Sequence, residues 1–139
     1  MYDIENYYNA ETIKEAVTLL KEHPDARVIS GGSDVLIKIR EGKMAGTSLV
    51  SIRDIKEIKG IRQMESGAMY IGAGTTFSHV TNDPVIQKLI PDLGEAVDQV
   101  GGPQVRNIGT IGGNVSNGAV SADSPPTLIS LNAMLRIAD

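Results

Sequence analysis

The most distinctive stretch of this sequence is Gln104-Val105-Arg106-Asn107-Ile108-Gly109-Thr110-Ile111-Gly112-Gly113-Asn114. It lies between Gly101 and Gly118, a segment that holds six of the fifteen glycines in the chain. Glycine is favoured where the backbone needs a positive φ or must approach another group without an intervening Cβ. A glycine pair at the start of a helix leaves backbone N–H groups that point the same way, and such donors bind phosphate. Thr110–Asn114 is therefore a candidate phosphate-binding loop, in which the Thr and Asn side chains add hydrogen bonds.

A second candidate loop, Gly31-Gly32-Ser33-Asp34, follows the short predicted strand Arg27-Val28-Ile29-Ser30. Neither loop contains Lys or Arg, although Arg27 and Arg106 stand just outside. Binding through backbone dipoles suits a protein whose net charge is −4. Each glycine pair by itself is also compatible with an ordinary tight turn, which is what glycine most often forms.

The commoner nucleotide-binding motifs do not fit this sequence. Gly72-Ala73-Gly74 lacks the third glycine of the dinucleotide fingerprint, and no Gly-Lys-Ser or Gly-Lys-Thr marks a Walker loop. Chemistry on a bound nucleoside triphosphate is therefore poorly supported. Two separate glycine loops are better suited to a large dinucleotide.

The composition is that of an ordinary globular protein and argues against several classes of function. With 139 residues, 41% hydrophobic and 22% charged, the chain suits one domain or two small lobes. The negative net charge and the absence of Trp argue against a nucleic-acid surface. No apolar run reaches the ~20 residues that cross a membrane. Met1-Tyr2-Asp3-Ile4-Glu5 lacks the features of a secretory signal, so we expect a cytoplasmic protein.

The counts of cysteine and histidine limit the possible chemistry. The chain has no cysteine, which excludes disulfides, a Cys nucleophile, Cys-ligated zinc and an iron–sulfur cluster held by this chain. His23 and His79 are far apart in sequence, and we expect a structural or solvent-facing role for both. We therefore expect neither a metal site nor a catalytic residue in this chain.

Hydrophobic periodicity and turn residues predict a mixture of helices and strands. Thr12 and Glu15 have the spacing of a capping box, and the apolar stripe that follows predicts a helix ending near His23. Asp34–Ile39 fits either a short helix or a strand. Further helices are predicted at 76–82, 84–89, 91–100 and from Asp123 onward, and further strands at 48–52, 61–65 with 68–71 as a hairpin, and 133–138. This order lacks a regular βαβ alternation, so we predict an α+β fold rather than a doubly wound sheet.

Both glycine loops resemble those of a known protein family. Ser30-Gly31-Gly32-Ser33-Asp34-Val35-Leu36 resembles the Ala-Gly-Gly-Thr-Asp-Leu-Leu loop of the flavin subunits of molybdenum hydroxylases. The stretch 104–114 resembles the second loop of that family almost residue for residue. Asn117-Gly118-Ala119-Val120-Ser121-Ala122-Asp123-Ser124 is similar to the corresponding stretch of xanthine dehydrogenases built from separate subunits. The resemblance runs from about Ile4 to Ile137.

This resemblance implies an FAD-binding domain of two α+β lobes, of the type shared by vanillyl-alcohol oxidase and carbon monoxide dehydrogenase flavoproteins. We expect the lobes to be about 1–52 and 53–139. The residues implied to cradle the pyrophosphate and the adjoining ribityl chain are Arg27, Val28, Ile29, Ser30, Gly31, Gly32, Ser33, Asp34, Thr110, Ile111, Gly112, Gly113 and Asn114. Asp123 is implied to accept hydrogen bonds from cofactor hydroxyls, although its position also fits a plain N-cap. Arg106 fits either a cofactor contact or an ion pair.

The resemblance also implies what surrounds the flavin. In that family a molybdenum cofactor hydroxylates a substrate such as a purine, and electrons pass through iron–sulfur clusters to FAD and then to NAD. The expected partners are a molybdopterin-binding subunit and a 2Fe-2S subunit, with NAD as the electron acceptor. Subunits of this family are longer, so we expect their C-terminal remainder to be missing here. Two alternatives stay open: the flavin subunit of a carbon monoxide or nicotinate dehydrogenase, and a flavin-free scaffold domain.

Overall fold

The computed structural model describes residues 2–139, which fold into two compact units. One unit contains the residues up to Glu57 together with Ile137–Asp139, and the other contains Ile58–Arg136. Both units combine strands with helices, which confirms the predicted α+β class. Within residues 2–139, the helices are too short or too polar to cross a bilayer.

The first unit is built on a three-stranded parallel sheet. Its strands are β1 (Ile4–Asn9), β2 (Arg27–Ile29) and β3 (Thr47–Ser51), with β3 in the centre. Helix α1 (Ile13–Glu22) leads from β1 to β2, and helix α2 (Val35–Arg40) leads from β2 to β3. The segment between β2 and α2 therefore lies at the carboxyl edge of the sheet, where open parallel sheets bind their ligands.

The predicted start and end of α1 are confirmed. The Thr12 side chain accepts a 3.1 Å hydrogen bond from the backbone N–H of Glu15, as a capping residue should. The Glu15 carboxylate in turn accepts a 2.8 Å bond from the backbone N–H of Glu11. His23 is the C-cap, and its ring stacks on Tyr8 with a centroid distance of 4.2 Å. The expected structural role of His23 follows from these contacts.

Tertiary packing decides between the two predicted structures for Asp34–Ile39. The segment is helical, because α2 begins at Val35. Ile39 is 2% exposed and packs in one cluster with Ile29 and Leu49. A helix places Ile39 over this sheet while it leaves Ile37 partly exposed.

The second unit combines a β-hairpin with six short helices. A 3₁₀ turn at Lys56–Ile58 precedes the hairpin strands β4 (Ile61–Gln63) and β5 (Met69–Ile71), which pair antiparallel as predicted. The helices are α3 (Phe77–Asn82), α4 (Pro84–Leu89), α5 (Pro91–Asp98), α6 (Pro103–Ile108), α7 (Ile111–Asn117) and α8 (Ser124–Ser130). The core of this unit consists of Phe77, Val80, Ile86, Leu93, Val97 and Ile111.

Prolines and capping side chains set where these short helices begin. Four of the six have proline in the first turn, where the missing N–H would have had no helical partner. Asp83 caps α4 by accepting bonds of 2.9 and 3.1 Å from the N–H groups of Val85 and Ile86. The predictions of α3, α4, α5 and α8 are confirmed, and α7 begins at the possible helix start that was predicted in the second glycine loop, whereas α6 was not predicted.

The predicted strand at 133–138 is wrong. Residues 133–139 form neither strand nor helix, and the side chains of Met134, Leu135 and Ile137 are 94%, 69% and 84% exposed. A run of apolar residues forms a strand only where a neighbouring strand supplies hydrogen-bond partners. Within residues 2–139 no strand pairs with this segment.

Candidate functional site

The loop after β2 presents a run of uncommitted backbone donors. Among residues 2–139, no acceptor receives a hydrogen bond from the N–H groups of Gly31, Gly32, Ser33, Asp34 and Val35. Gly31, Gly32 and Ser33 are half-buried and Asp34 is exposed, so a ligand can reach this loop. Consecutive N–H groups in this state suit an anion. The loop is therefore compatible with the predicted phosphate-binding role.

Gly32 is required by both the conformation and the packing of this loop. Its φ is +77°, in the left-handed region that glycine adopts without strain. A Cβ on Gly32 would lie 3.1 Å from Leu36 Cδ1 and 3.2 Å from Ile29 Cδ1. The Gly32 carbonyl accepts a 3.0 Å hydrogen bond from the N–H of Leu36, in the first turn of α2. The turn at Gly32 joins the sheet to this helix.

Three other candidates in this region, Arg27, Val28 and Ile29, belong to strand β2 rather than to the loop. Ile29 is buried in the core, and its carbonyl accepts a 2.9 Å bond from the N–H of Ile52. The side chains of Arg27 and Val28 are exposed. Any contact between Ile29 and a cofactor would therefore involve its main chain.

The second glycine loop is the start of helix α7, and Thr110 caps it. Thr110 Oγ1 accepts a 3.2 Å hydrogen bond from the N–H of Gly113. The Thr110 carbonyl accepts a 3.0 Å bond from the N–H of Asn114. These two donors are therefore committed to the helix start.

The first two N–H groups of α7 are committed as well. Ile111 donates to the carbonyl of Thr75 at 3.0 Å, and Gly112 donates to the carbonyl of Ala73 at 2.9 Å. The expectation that this loop offers free backbone donors is therefore wrong for residues 111–114. The N–H groups of Ile111 and Gly112 join α7 to the segment before α3, and those of Gly113 and Asn114 bond to Thr110. A ligand could therefore form hydrogen bonds with side chains of this loop but not with these four N–H groups.

The glycines of the second loop are explained by packing rather than by φ. Neither Gly112 nor Gly113 has a positive φ. A Cβ on Gly112 would lie 2.6 Å from Ala73 Cβ and 2.7 Å from the Ala73 carbonyl oxygen. A Cβ on Gly113 would meet only the Thr110 hydroxyl, at 2.9 Å. The close approach of backbone to backbone is therefore at Gly112.

Asn114 and Asp123 are joined through a residue that was not among the predicted site residues. Ser124 follows Asp123, is fully buried, and donates a 2.6 Å hydrogen bond to Asn114 Oδ1. Asp123 stands at the N-cap position of α8, but its exposed side chain makes no capping hydrogen bond. The plain N-cap interpretation of Asp123 is therefore not supported. The sequence showed a serine between an acidic residue and a proline pair, but only the structure showed that this serine is buried.

Arg106 and His79 both have partners within the fold. Arg106 Nε lies 3.2 Å from Asp98 Oδ1, and its guanidinium also donates to the Gly101 carbonyl at 2.8 Å. The ion-pair alternative for Arg106 is thereby confirmed. His79 Nε2 lies 3.8 Å from Asp83 Oδ2 on the same side of α3, which agrees with a structural role.

Two observations concern the charged groups of the described residues. Within residues 2–139 no three His, Cys, Asp or Glu side chains are grouped to hold a metal ion. A 2.8 Å hydrogen bond from Lys43 lowers the pKa of Glu41 and raises the pKa of Lys43. This pair is exposed, lies beyond the glycine loop, and contributes little to stability.

The donors and acceptors described above fit the chemistry of FAD. Backbone N–H groups at 31–35 suit an anionic diphosphate, and an exposed carboxylate at Asp123 suits hydroxyl groups. The fold is of the α+β class, and these groups are compatible with a dinucleotide ligand. Comparison with known families is more specific. The chain belongs to the family described as the FAD binding domain in molybdopterin dehydrogenase, whose sequence model matches residues 2–139.

Several individual proteins with flavin-binding or related subunits are similar to this chain. The chain is 41% identical over 130 residues to the xanthine dehydrogenase FAD-binding subunit of Escherichia coli O157:H7, covering 93% of this chain and 44% of that subunit. It is 36% identical over 135 residues to the nicotinate dehydrogenase FAD-subunit of Eubacterium barkeri, covering 96% and 45%. A solved structure of carbon monoxide dehydrogenase from Hydrogenophaga pseudoflava matches with a TM-score of 0.86 at 33% identity, over 90% of this chain and 44% of that one. The chain thus spans less than half the length of these relatives.

Proposed function

We propose that this protein is the flavin-binding part of a molybdenum-containing hydroxylase of the xanthine dehydrogenase kind, and that it holds FAD. The observation that carries this proposal is the run of uncommitted N–H groups from Gly31 to Val35 at the carboxyl edge of a parallel sheet. Membership of the FAD-binding family and 41% identity to a xanthine dehydrogenase FAD-binding subunit support it.

The residues of this chain would bind and orient the cofactor, which itself supplies the redox chemistry. The N–H groups of residues 31–35 would bind the diphosphate. Their dipoles, rather than a Lys or Arg side chain, would stabilise its negative charge. The second loop would contribute side chains, because its backbone donors are committed. Asp123 would accept hydrogen bonds from cofactor hydroxyls. No proton transfer is assigned to this chain.

The proposed setting is a complex with a molybdopterin-binding subunit and a 2Fe-2S subunit, in which FAD receives electrons from the iron–sulfur clusters and passes them to NAD. A nicotinate or carbon monoxide dehydrogenase is the second candidate, favoured by identities of 36% and 34% to flavin-binding or medium chains of such enzymes. Assays of the assembled complex with xanthine, nicotinate and carbon monoxide distinguish these substrates. A visible absorption spectrum of the purified protein distinguishes both candidates from a flavin-free scaffold.

The protein is expected to bind FAD at least about tenfold more tightly than FMN, because the diphosphate adds charge-assisted hydrogen bonds that a single phosphate cannot make. Titration of each flavin with the protein, followed by quenching of flavin fluorescence, measures both dissociation constants. Equal affinities would contradict the diphosphate assignment of the Gly31–Val35 loop.

Replacement of Asp123 by alanine is expected to weaken FAD binding about tenfold, since a hydrogen bond to a charged group is lost. Its melting temperature should stay unchanged, because the side chain is exposed and caps nothing. The matched control is Asp83→Ala, which removes a real cap with two hydrogen bonds. That variant is expected to lose about 1 kcal/mol of stability and to keep its affinity for FAD. A lower melting temperature with unchanged FAD affinity in Asp123→Ala would show that Asp123 has a structural role.

A further inference from the structure

Ser124 stands out among the buried polar residues of the second unit. Three side chains of this kind are buried there: Thr75, Thr110 and Ser124. Thr75 Oγ1 bonds both main-chain groups of Gly60, and Thr110 caps α7. Ser124 has no exposed surface, and its hydroxyl is directed at the side chain of Asn114. Burying a hydroxyl costs free energy unless the group is hydrogen-bonded, and the bond to Asn114 offsets this cost.

The contact fixes which end of the Asn114 amide faces outward. The terminal torsion of Asn is broad, so the amide has no strong orientation of its own. Because Ser124 donates to Oδ1 at 2.6 Å, the Nδ2 group must point away from Ser124. Nδ2 donates to no acceptor among residues 2–139. It also reaches the surface, since no buried side-chain nitrogen in the described chain lacks a partner.

The second glycine loop therefore has its hydrogen-bonding capacity in one side chain. The N–H groups of residues 111–114 are all committed to Thr75, Ala73 or Thr110. The outward Nδ2 of Asn114 carries two N–H donors that no described residue uses. A donor of this kind suits a phosphate oxygen or a flavin carbonyl.

We infer that Ser124 is a positioning residue that holds the Asn114 amide with its donor end toward bound FAD. This inference rests on the proposed function, and it adds a residue to which the resemblance assigned no role. The same hydrogen bond ties the start of α8 to α7 and so also limits where Asp123 can lie. Ser124 does not touch the cofactor in this account and acts through Asn114.

The test is a double-mutant cycle with FAD affinity as the readout. Ser124→Ala is expected to weaken FAD binding about fivefold, the usual effect of one misoriented hydrogen bond. Asn114→Ala is expected to weaken it about tenfold, and adding Ser124→Ala to Asn114→Ala should cause no further loss. Ser78→Ala is the matched control, because Ser78 donates to Asn107 Oδ1 at the same 2.6 Å distance and neither residue belongs to the candidate site. The control should bind FAD normally.

Unchanged FAD affinity in Ser124→Ala would overturn the inference. So would a loss of FAD affinity on Ser124→Ala that is equally large in the unchanged protein and in the Asn114→Ala variant. If Ser124→Ala does not fold, Asn114→Asp decides, because aspartate still accepts the Ser124 hydrogen bond but has no N–H donor. That variant should bind FAD about tenfold more weakly at an unchanged melting temperature, and normal binding would overturn the inference. Failure of the unchanged protein to bind FAD would instead overturn the proposed function, and the inference with it.

Discussion

Gly32→Ala is expected to weaken FAD binding by about ten- to a hundredfold, which corresponds to the loss of one or two charge-assisted hydrogen bonds. Gly32 has a φ of +77°, and its N–H is one of five consecutive donors in the loop after β2. A side chain at this φ is strained, and its Cβ would press on Leu36 and Ile29 at 3.1–3.2 Å. The loop would relax by shifting the backbone that carries these N–H groups. Flavin fluorescence titration measures the loss.

The matched control for this variant is Gly42→Ala. Gly42 has a nearly equal φ of +76°, and nothing lies within 4 Å of a Cβ placed there. Both variants should lose about 1 kcal/mol of stability because each places a side chain in the left-handed region, and Gly32→Ala should lose more because its Cβ also presses on Leu36 and Ile29. Only Gly32→Ala should lose FAD affinity. A similar affinity in the two variants would show that the loop is an ordinary turn.

Gly112→Ala is expected to destabilise the fold by about 3 kcal/mol, at the upper end of overpacking effects. The added methyl would lie 2.6 Å from Ala73 Cβ and 2.7 Å from the Ala73 carbonyl oxygen. Backbone cannot move aside as a flexible side chain can, so the 2.9 Å bond between the Gly112 N–H and this carbonyl would break. Urea unfolding followed by circular dichroism measures the change in the free energy of unfolding.

Gly113→Ala is the control at the neighbouring position. Its methyl meets only the Thr110 hydroxyl, and alanine favours the helix more than glycine does. We expect a change in stability within about 1 kcal/mol, since partial loss of the cap offsets the gain in helix propensity. Equal destabilisation at both positions would mean that the contact between Gly112 and Ala73 does not restrict the fold.

Local signals predicted most of the secondary structure. The capping pair at Thr12 and Glu15, the prolines at the helix starts, and the turn between β4 and β5 each act over a few residues. Such signals depend on neighbours in sequence, so they can be interpreted without knowing the fold. Prediction failed where the local pattern did not reveal whether a distant partner was present. Strand β1 was missed because most of its side chains are exposed, and it forms by pairing with β3.

The same distinction applies to the predicted strand at 133–138. Its apolar residues favour a strand locally, but no strand in residues 2–139 pairs with them. For helix α7 the sequence indicated only a possible helix start. Its Ile-Gly-Gly start has poor helix propensity, yet the helix forms because Thr110 caps it and the carbonyls of Thr75 and Ala73 accept its first N–H groups.

The sequence by itself determined that the protein has two glycine loops, an α+β fold and the motifs of an FAD-binding family, because composition and short motifs are properties of the chain. Only the tertiary structure decided what each loop can offer a ligand. The two loops look equivalent as glycine pairs, but the N–H groups at 31–35 are uncommitted and those at 111–114 are not. Two of the acceptors that make this difference, the carbonyls of Ala73 and Thr75, lie more than thirty residues from the second loop. A hydrogen bond between residues so far apart in sequence exists only once the chain has folded.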